Sequence, residues 1–135
     1  MPLLSWSENY SVKVPTFDKQ HQVLFDLINR LHDAMRIGKG NSALGSVLAE
    51  LSKYTVAHFA AEESAMERNA YPAFKEHHAQ HSQFIKRMTD FSNEFTAGRV
   101  ALSTTVIDFL MDWLKLHIVG TDKKYSDFLV SRGVV

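Results

Sequence analysis

Hydrophobic residues recur every three or four positions along most of the chain, which is the period of one face of an α-helix. The first such run covers residues 17–37 and stops at the sequence GKGN, and the second covers residues 42–68. A third run starts at Pro72, which suits a helix start, and ends at TAGR, where Gly98 suits a helix C-terminus. The pattern therefore predicts three helices in the first three quarters of the chain.

The fourth hydrophobic run begins near Ser103 and keeps the helical period through His117. Gly120 is a candidate break or bend, and an amphipathic tail follows it as far as Gly133. The sequence leaves the local geometry around Gly120 open.

Four helices with short connections favour an all-α fold, an up-down-up-down antiparallel four-helix bundle. An extended N-terminal arm, residues 1–16, is expected to precede a bundle formed by about residues 17–132. The length of 135 residues suits one domain, so we expect residues 1–135 to form a single domain.

Charge and cysteine content narrow the classes of function. Fifteen basic residues balance fifteen acidic ones, so no net charge attracts nucleic acid. The chain has no cysteine, so a bound metal would need nitrogen and oxygen ligands. No signal sequence and no apolar run long enough for a membrane span is present, and we therefore expect a cytoplasmic protein.

Ligand-type side chains are grouped at helical spacing on the predicted helices. His58 and Glu62 lie four residues apart, as do His77 and His81, so each pair shares one helix face. His21 lies near the start of the first helix. These five side chains are candidates for a common site.

The fourth helix adds His117 and, five residues later, Asp122. In an antiparallel bundle, the start of the first helix meets the end of the second, the start of the third and the end of the fourth. Seven side chains can thus meet inside one end of the bundle, where coordination would satisfy buried polar groups. The remaining histidines, His32 and His78, are expected to be structural or at the surface, and the acidic Glu63 is expected to belong to a solvated helix face.

Five imidazoles and two carboxylates exceed the needs of one ordinary ion and suit two metals bridged by the carboxylates. Imidazole binds iron, zinc, copper and nickel, so ligand type alone leaves the metal open. The zincin motif His-Glu-x-x-His is absent from the sequence, and the Glu-x-x-His pairs of ferritin-like proteins do not match this set.

Four segments carry a resemblance to a known family: DKQH at 18–21, HFAAE at 58–62, YPAFKEHHAQH at 71–81 and WLKLHIVGTD at 113–122. With these spacings the chain resembles the hemerythrins, specifically the single-domain bacterial ones. The resemblance implies a non-haem centre of two iron ions with a bridging oxo or hydroxo group. It also implies the ligands: His77, His81 and His117 on one iron, His21 and His58 on the other, with Glu62 and Asp122 bridging.

The resemblance further implies reversible binding of dioxygen at the vacant position of the two-histidine iron. By analogy, an apolar pocket would be formed by Phe59, Trp113, Leu114 and Ile118. The expected role is an oxygen carrier, store or delivery protein with an oxygen-using enzyme as candidate partner, and not an enzyme itself. The alternatives are a di-iron oxidoreductase that scavenges peroxide or nitric oxide, and an oxygen or redox sensor module.

Overall fold

The computed structural model describes residues 3–99 and 101–135, and in these ranges it is helical with no strand. The elements in chain order are a 3₁₀ turn (Glu8–Tyr10), α1 (Pro15–Arg36), α2 (Gly40–Arg68), α3 (Phe74–Thr96), α4 (Leu102–Leu116), a π-helical segment (His117–Asp122) and α5 (Lys123–Ser131). The last three follow one another without a break and form the fourth long helix. The predicted all-α antiparallel four-helix bundle is confirmed.

The helix ends differ from the prediction by about two residues. Helix α1 begins at Pro15. The N–H groups in the first turn of a helix have no acceptor within the helix, so a proline, which has no N–H, is well tolerated there. Helix α2 begins at Gly40, two residues before the predicted start. The assignment of Pro72 to the start of α3 is wrong, because Pro72 lies in the preceding turn and the helix begins at Phe74. Gly98 follows α3 with φ of +79°, as predicted for a helix C-terminus.

The bundle core lies between the inward faces of the helices. Helix α1 packs against α2 and α4, and α2 also packs against α3, so sequential helices are neighbours. In the half of the bundle that contains the α1–α2 connection, the core is apolar; its members include Leu31, Leu44, Leu48, Phe91 and Val106, each at most 2% exposed. Burial of each such side chain stabilises the fold by about 1.5–3 kcal/mol. Within the described ranges, no helix has the length and apolar character needed to cross a membrane.

The N-terminal arm is fixed to the outside of the bundle. Asn29 accepts a hydrogen bond from the Leu4 amide at 2.8 Å and donates one to the Leu4 carbonyl at 2.7 Å. The Tyr10 ring meets the edge of Phe25, with 4.9 Å between ring centroids. Between residues 3 and 14 the arm contains one 3₁₀ turn and a left-handed residue, Lys13, and its Trp6 and Tyr10 rings both pack against Phe25 of α1.

The π-helical segment resolves the geometry that the sequence left open around Gly120. The Lys123 amide donates to the Ile118 carbonyl, five residues back, and the helix continues through Gly120. Residues five apart would be about 140° apart around an α-helix axis. A π-helical turn closes hydrogen bonds between residues five apart, so it brings His117 and Asp122 toward one face. Both side chains consequently point into the bundle and are buried.

Candidate metal centre

The seven side chains predicted to form a site meet inside one end of the bundle. Each is at most 3% exposed, and together they are His21, His58, Glu62, His77, His81, His117 and Asp122. Their candidate ligand atoms form two groups, each within 4.8 Å, that share Glu62: Glu62, His77, His81, His117 and Asp122 in one, and His21, His58 and Glu62 in the other. The helical register of the sequence therefore brings every predicted site residue into one cluster.

Asp122 lies between the two groups of histidines. Its Oδ1 is 2.8 Å from Nε2 of His77 and 3.0 Å from Nε2 of His117. Its Oδ2 is 3.1 Å from Nε2 of His21. The two oxygens of one carboxylate thus face imidazoles of both groups, as a ligand shared by two metals would.

Glu62 occupies the corresponding position on α2. Its Oε1 lies 3.3 Å from Nε2 of His58 and 3.4 Å from Nε2 of His81. Its Oε2 lies 3.4 Å from Nε2 of His21 and accepts a hydrogen bond from the Tyr125 hydroxyl. Glu62 therefore also contacts histidines of both groups.

Unsatisfied polar atoms test whether these residues fit a metal. Within the part of the chain that the structure describes, Nε2 of His21 and His77, Oε1 of Glu62 and both carboxylate oxygens of Asp122 are buried without a hydrogen-bond partner. The short N···O distances among them lack hydrogen-bond geometry. Leaving such atoms unpaired costs about 1–3 kcal/mol each. Inward lone pairs of nitrogen and oxygen at these distances are the donor set that metal ions bind, so the residues fit a metal centre.

Comparison with known proteins identifies the family of this fold and site. The family model described as the hemerythrin HHE cation binding domain matches residues 12–129. The chain belongs to the hemerythrin family. It is 34% identical over 130 residues to the bacteriohemerythrin of Methylococcus capsulatus, which covers 96% of this chain and 98% of the relative. It is 32% identical over 121 residues to the myohemerythrin of Riftia pachyptila, covering 90% and 89%.

Solved hemerythrin structures share the fold. A wild-type hemerythrin crystal structure superposes with a TM-score of 0.86 at 34% identity, over 94% of this chain and 98% of the other. A hemerythrin with a single leucine substitution superposes with a TM-score of 0.88 at 33% identity, over 96% and 98%. Family membership, together with the buried His/Glu/Asp cluster, supports a non-haem iron site and a binding protein rather than an enzyme.

In this member of the hemerythrin family, three of the site histidines have hydrogen-bond partners on the nitrogen that faces away from the cluster. Nδ1 of His58 lies 2.5 Å from Oε1 of Gln20, and Nδ1 of His117 lies 2.8 Å from Oε1 of Gln80. An amide oxygen only accepts hydrogen bonds, so Nδ1 of each of these rings carries the proton. Nε2 of the neutral ring then presents its lone pair to the cluster.

The third histidine, His81, has its Nδ1 2.9 Å from Oε2 of Glu63. The expectation that Glu63 belongs to a solvated helix face is wrong, because its side chain is only 19% exposed and contacts a site histidine. Glu63, Gln20 and Gln80 each follow or precede a predicted site residue directly in sequence. Their position next to site residues could have marked them as candidates. Each one, however, binds a histidine on a helix other than its own, and sequence spacing does not reveal that pairing.

The charges inside the cluster perturb the pKa values of its members. Burial lowers the pKa of His21, but the close carboxylates of Asp122 and Glu62 outweigh burial and raise this pKa to about 10. Burial raises the pKa of Glu62 and of Asp122, yet the surrounding histidines outweigh it and hold both pKa values below the ordinary range. In the metal-free protein the carboxylates are therefore ionised and His21 carries a proton, which a metal would displace.

Two of the four predicted pocket residues contact imidazoles of the cluster. The Phe59 ring stacks on His81 with 3.8 Å between centroids, and the Trp113 ring stacks on His117 at 4.3 Å. Phe59, Leu114 and Ile118 are buried, whereas Trp113 is half-buried. Aromatic rings therefore cover the imidazoles of His81 and His117, while a pocket that also includes Leu114 and Ile118 stays a prediction.

Proposed function

We propose that this protein binds dioxygen reversibly at a non-haem di-iron centre and serves as an oxygen carrier, store or delivery protein. The observation that carries the proposal is the carboxylate of Asp122, whose two oxygens face histidines of two groups. In this assignment His77, His81 and His117 would hold one iron, His21 and His58 would hold the other, and Glu62 and Asp122 would be shared by both. The two irons, joined by an oxo or hydroxo bridge, would supply electrons to oxygen when it binds. They would take the same electrons back when oxygen is released.

The ligand count favours a binding site on the His21 and His58 side of the cluster. Three imidazoles serve one iron and two serve the other, so the two bridging carboxylates complete the coordination of the first more fully than that of the second. A position left open on one metal is what binding of a small ligand requires. Oxygen would therefore bind beside His21 and His58.

Reversible binding also requires that water and strong acids stay away from the site. Phe59, Leu114 and Ile118 are at most 4% exposed, and they would form the apolar wall that a dry pocket needs. The nearby Tyr125 hydroxyl already donates to Glu62, and burial raises the pKa of Tyr125 well above its usual value. This hydroxyl is consequently a poor proton donor to bound oxygen.

The deciding experiment is an ultraviolet and visible spectrum of the reduced protein before air, after air and after removal of oxygen, with total iron measured in parallel. We expect two irons per chain and a charge-transfer band that appears with air and vanishes on deoxygenation. Immediate conversion to a stable oxidised spectrum would instead favour a di-iron oxidoreductase that scavenges peroxide or nitric oxide. A protein without iron would exclude both functions.

The physiological setting follows from the same proposal. A reversible oxygen protein with balanced charge is suited to free diffusion in the cytoplasm and to delivery of oxygen to an oxygen-using enzyme. A sensor role would require a change of structure on oxygen binding that a second domain or partner could detect. Comparison of oxygen release with and without a candidate oxygenase distinguishes delivery from storage.

A further inference from the structure

The side chains that bind the outward nitrogens of the site histidines differ in charge. Gln20 and Gln80 offer neutral amide oxygens, whereas Glu63 offers a carboxylate oxygen. The outward nitrogens of His21 and His77 have no partner among the residues that the structure describes. The cluster therefore receives an extra negative charge from outside at a single one of its five imidazoles, His81.

The carboxylate of Glu63 is held in place by two rings. Its Oε2 accepts from Nδ1 of His81 at 2.9 Å, and its Oε1 accepts from Nδ1 of His78. His78 is at the surface, with 56% of its side chain exposed, and it stacks on Phe74 with 6.0 Å between ring centroids. Glu63 therefore links a buried site histidine to an ordered surface histidine, and its charge cannot turn away into solvent without breaking both hydrogen bonds.

A carboxylate acceptor changes the chemistry of the ring that donates to it. It attracts the Nδ1 proton, which raises electron density at Nε2 and makes the imidazole a stronger metal ligand. A stronger, more anionic ligand set stabilises the more highly charged oxidation state of a metal. An amide acceptor fixes the ring in the same orientation with much less of this electronic effect.

We propose that Glu63 is a positioning residue that lowers the reduction potential of the iron bound by His81. The inference rests on the proposed function in that it takes His81 as an iron ligand, but it does not require oxygen to bind. It also makes the two halves of the centre electronically unequal, because the carboxylate acts on the three-histidine side while His58 on the other side has an amide partner.

Two isosteric substitutions that change the charge in opposite directions test this inference, and both act on histidines assigned to the same iron. Glu63→Gln removes the charge but keeps an acceptor for His81, and Gln80→Glu adds a carboxylate to His117, where the Thr121 hydroxyl also donates to the same oxygen at 2.9 Å. Midpoint potentials are measured by anaerobic redox titration of the iron-loaded proteins, with iron content and melting temperature as controls. We expect a higher potential in Glu63→Gln and a lower one in Gln80→Glu, with iron affinity lowered by about 10–100-fold at most, so that both variants still bind iron under anaerobic loading.

A purely structural role for Glu63 would give a different result. Both variants would then lose iron or melt earlier, and their potentials would be unchanged or shift in the same direction, which would overturn the inference. A wild-type protein that binds iron without a reversible oxygen adduct would refute the proposed function, while opposite shifts of the two variants would still support the inference. A protein that binds no iron under anaerobic loading would overturn both.

Discussion

The two halves of the bundle are built from the same helices but are stabilised in different ways. In the half that contains the α1–α2 connection, residues such as Leu31, Leu48 and Phe91 are at most 2% exposed and pack apolar surface. In the other half, seven histidine and carboxylate side chains are buried as well, each at most 3% exposed. Burial of apolar surface is favourable in itself, whereas burial of unpaired polar groups is costly.

This difference indicates which half depends on a ligand. The apolar half can form with no ligand, because its side chains need only one another. The polar half contains carboxylate oxygens and ring nitrogens without hydrogen-bond partners among the described residues, so its stability depends on the metal that would satisfy them. Four experiments test this division, from the largest expected effect to the smallest.

Metal removal should have the largest effect. A metal present at a thousand times its dissociation constant stabilises the fold by about 4 kcal/mol, which corresponds to roughly 10–20 °C in melting temperature. Calorimetry of iron-loaded and chelated protein measures this shift. Amide hydrogen exchange should rise more around His58 and His77 than around Leu48 after chelation; a uniform rise would contradict the division into two halves.

Truncation of the apolar half should act independently of the metal. Leu48→Ala should cost about 3 kcal/mol of unfolding free energy, because the cavity left by a fully buried leucine is not refilled. The loss should be equal in iron-loaded and chelated protein, with iron content unchanged, as measured by urea unfolding. Leu48→Met serves as the control with nearly conserved volume. Loss of iron from Leu48→Ala would show that the halves are coupled more strongly than their contacts indicate.

Loss of one candidate ligand should destabilise the iron-loaded protein alone. His77→Ala removes the nitrogen that lies 2.8 Å from Asp122. If metal binding weakens a hundredfold, the stabilisation by metal falls by about 2.7 kcal/mol. Iron analysis and melting temperature measure this, and Lys75→Ala, a change at an exposed residue of the same helix, is the control. Unchanged iron content and melting temperature in His77→Ala would refute its assignment as a ligand.

A polar substitution in the predicted pocket should have the smallest effect on the fold. Leu114→Gln should speed autoxidation several-fold, because a buried amide brings water toward the site, while iron content stays at the wild-type level. The decay of the oxygenated spectrum in air gives the rate. Leu114→Met, which keeps the site apolar, should behave like wild type. An unaltered rate in Leu114→Gln would show that Leu114 does not line the pocket.

Much of the site was predictable because helical spacing and antiparallel order are local and topological properties. The pairs His58 and Glu62, and His77 and His81, share a helix face at any bundle geometry. The acceptors of the outward nitrogens were not predictable in this way. Glu63 directly follows Glu62 in sequence, yet its partner is His81 on the next helix, and this pairing depends on how α2 and α3 are rotated and offset against each other.

The sequence by itself determined four helices, their order and the seven buried ligand-type side chains at one end, because the 3.6-residue period and short connections leave few alternatives. Only the tertiary structure decided that α3 begins at Phe74 and that the segment His117–Asp122 is π-helical. The π-helical turn depends on the rest of the bundle, because His117 and Asp122, five residues apart, must both face partners on the three other helices. Local propensity does not contain that requirement, and packing supplies it.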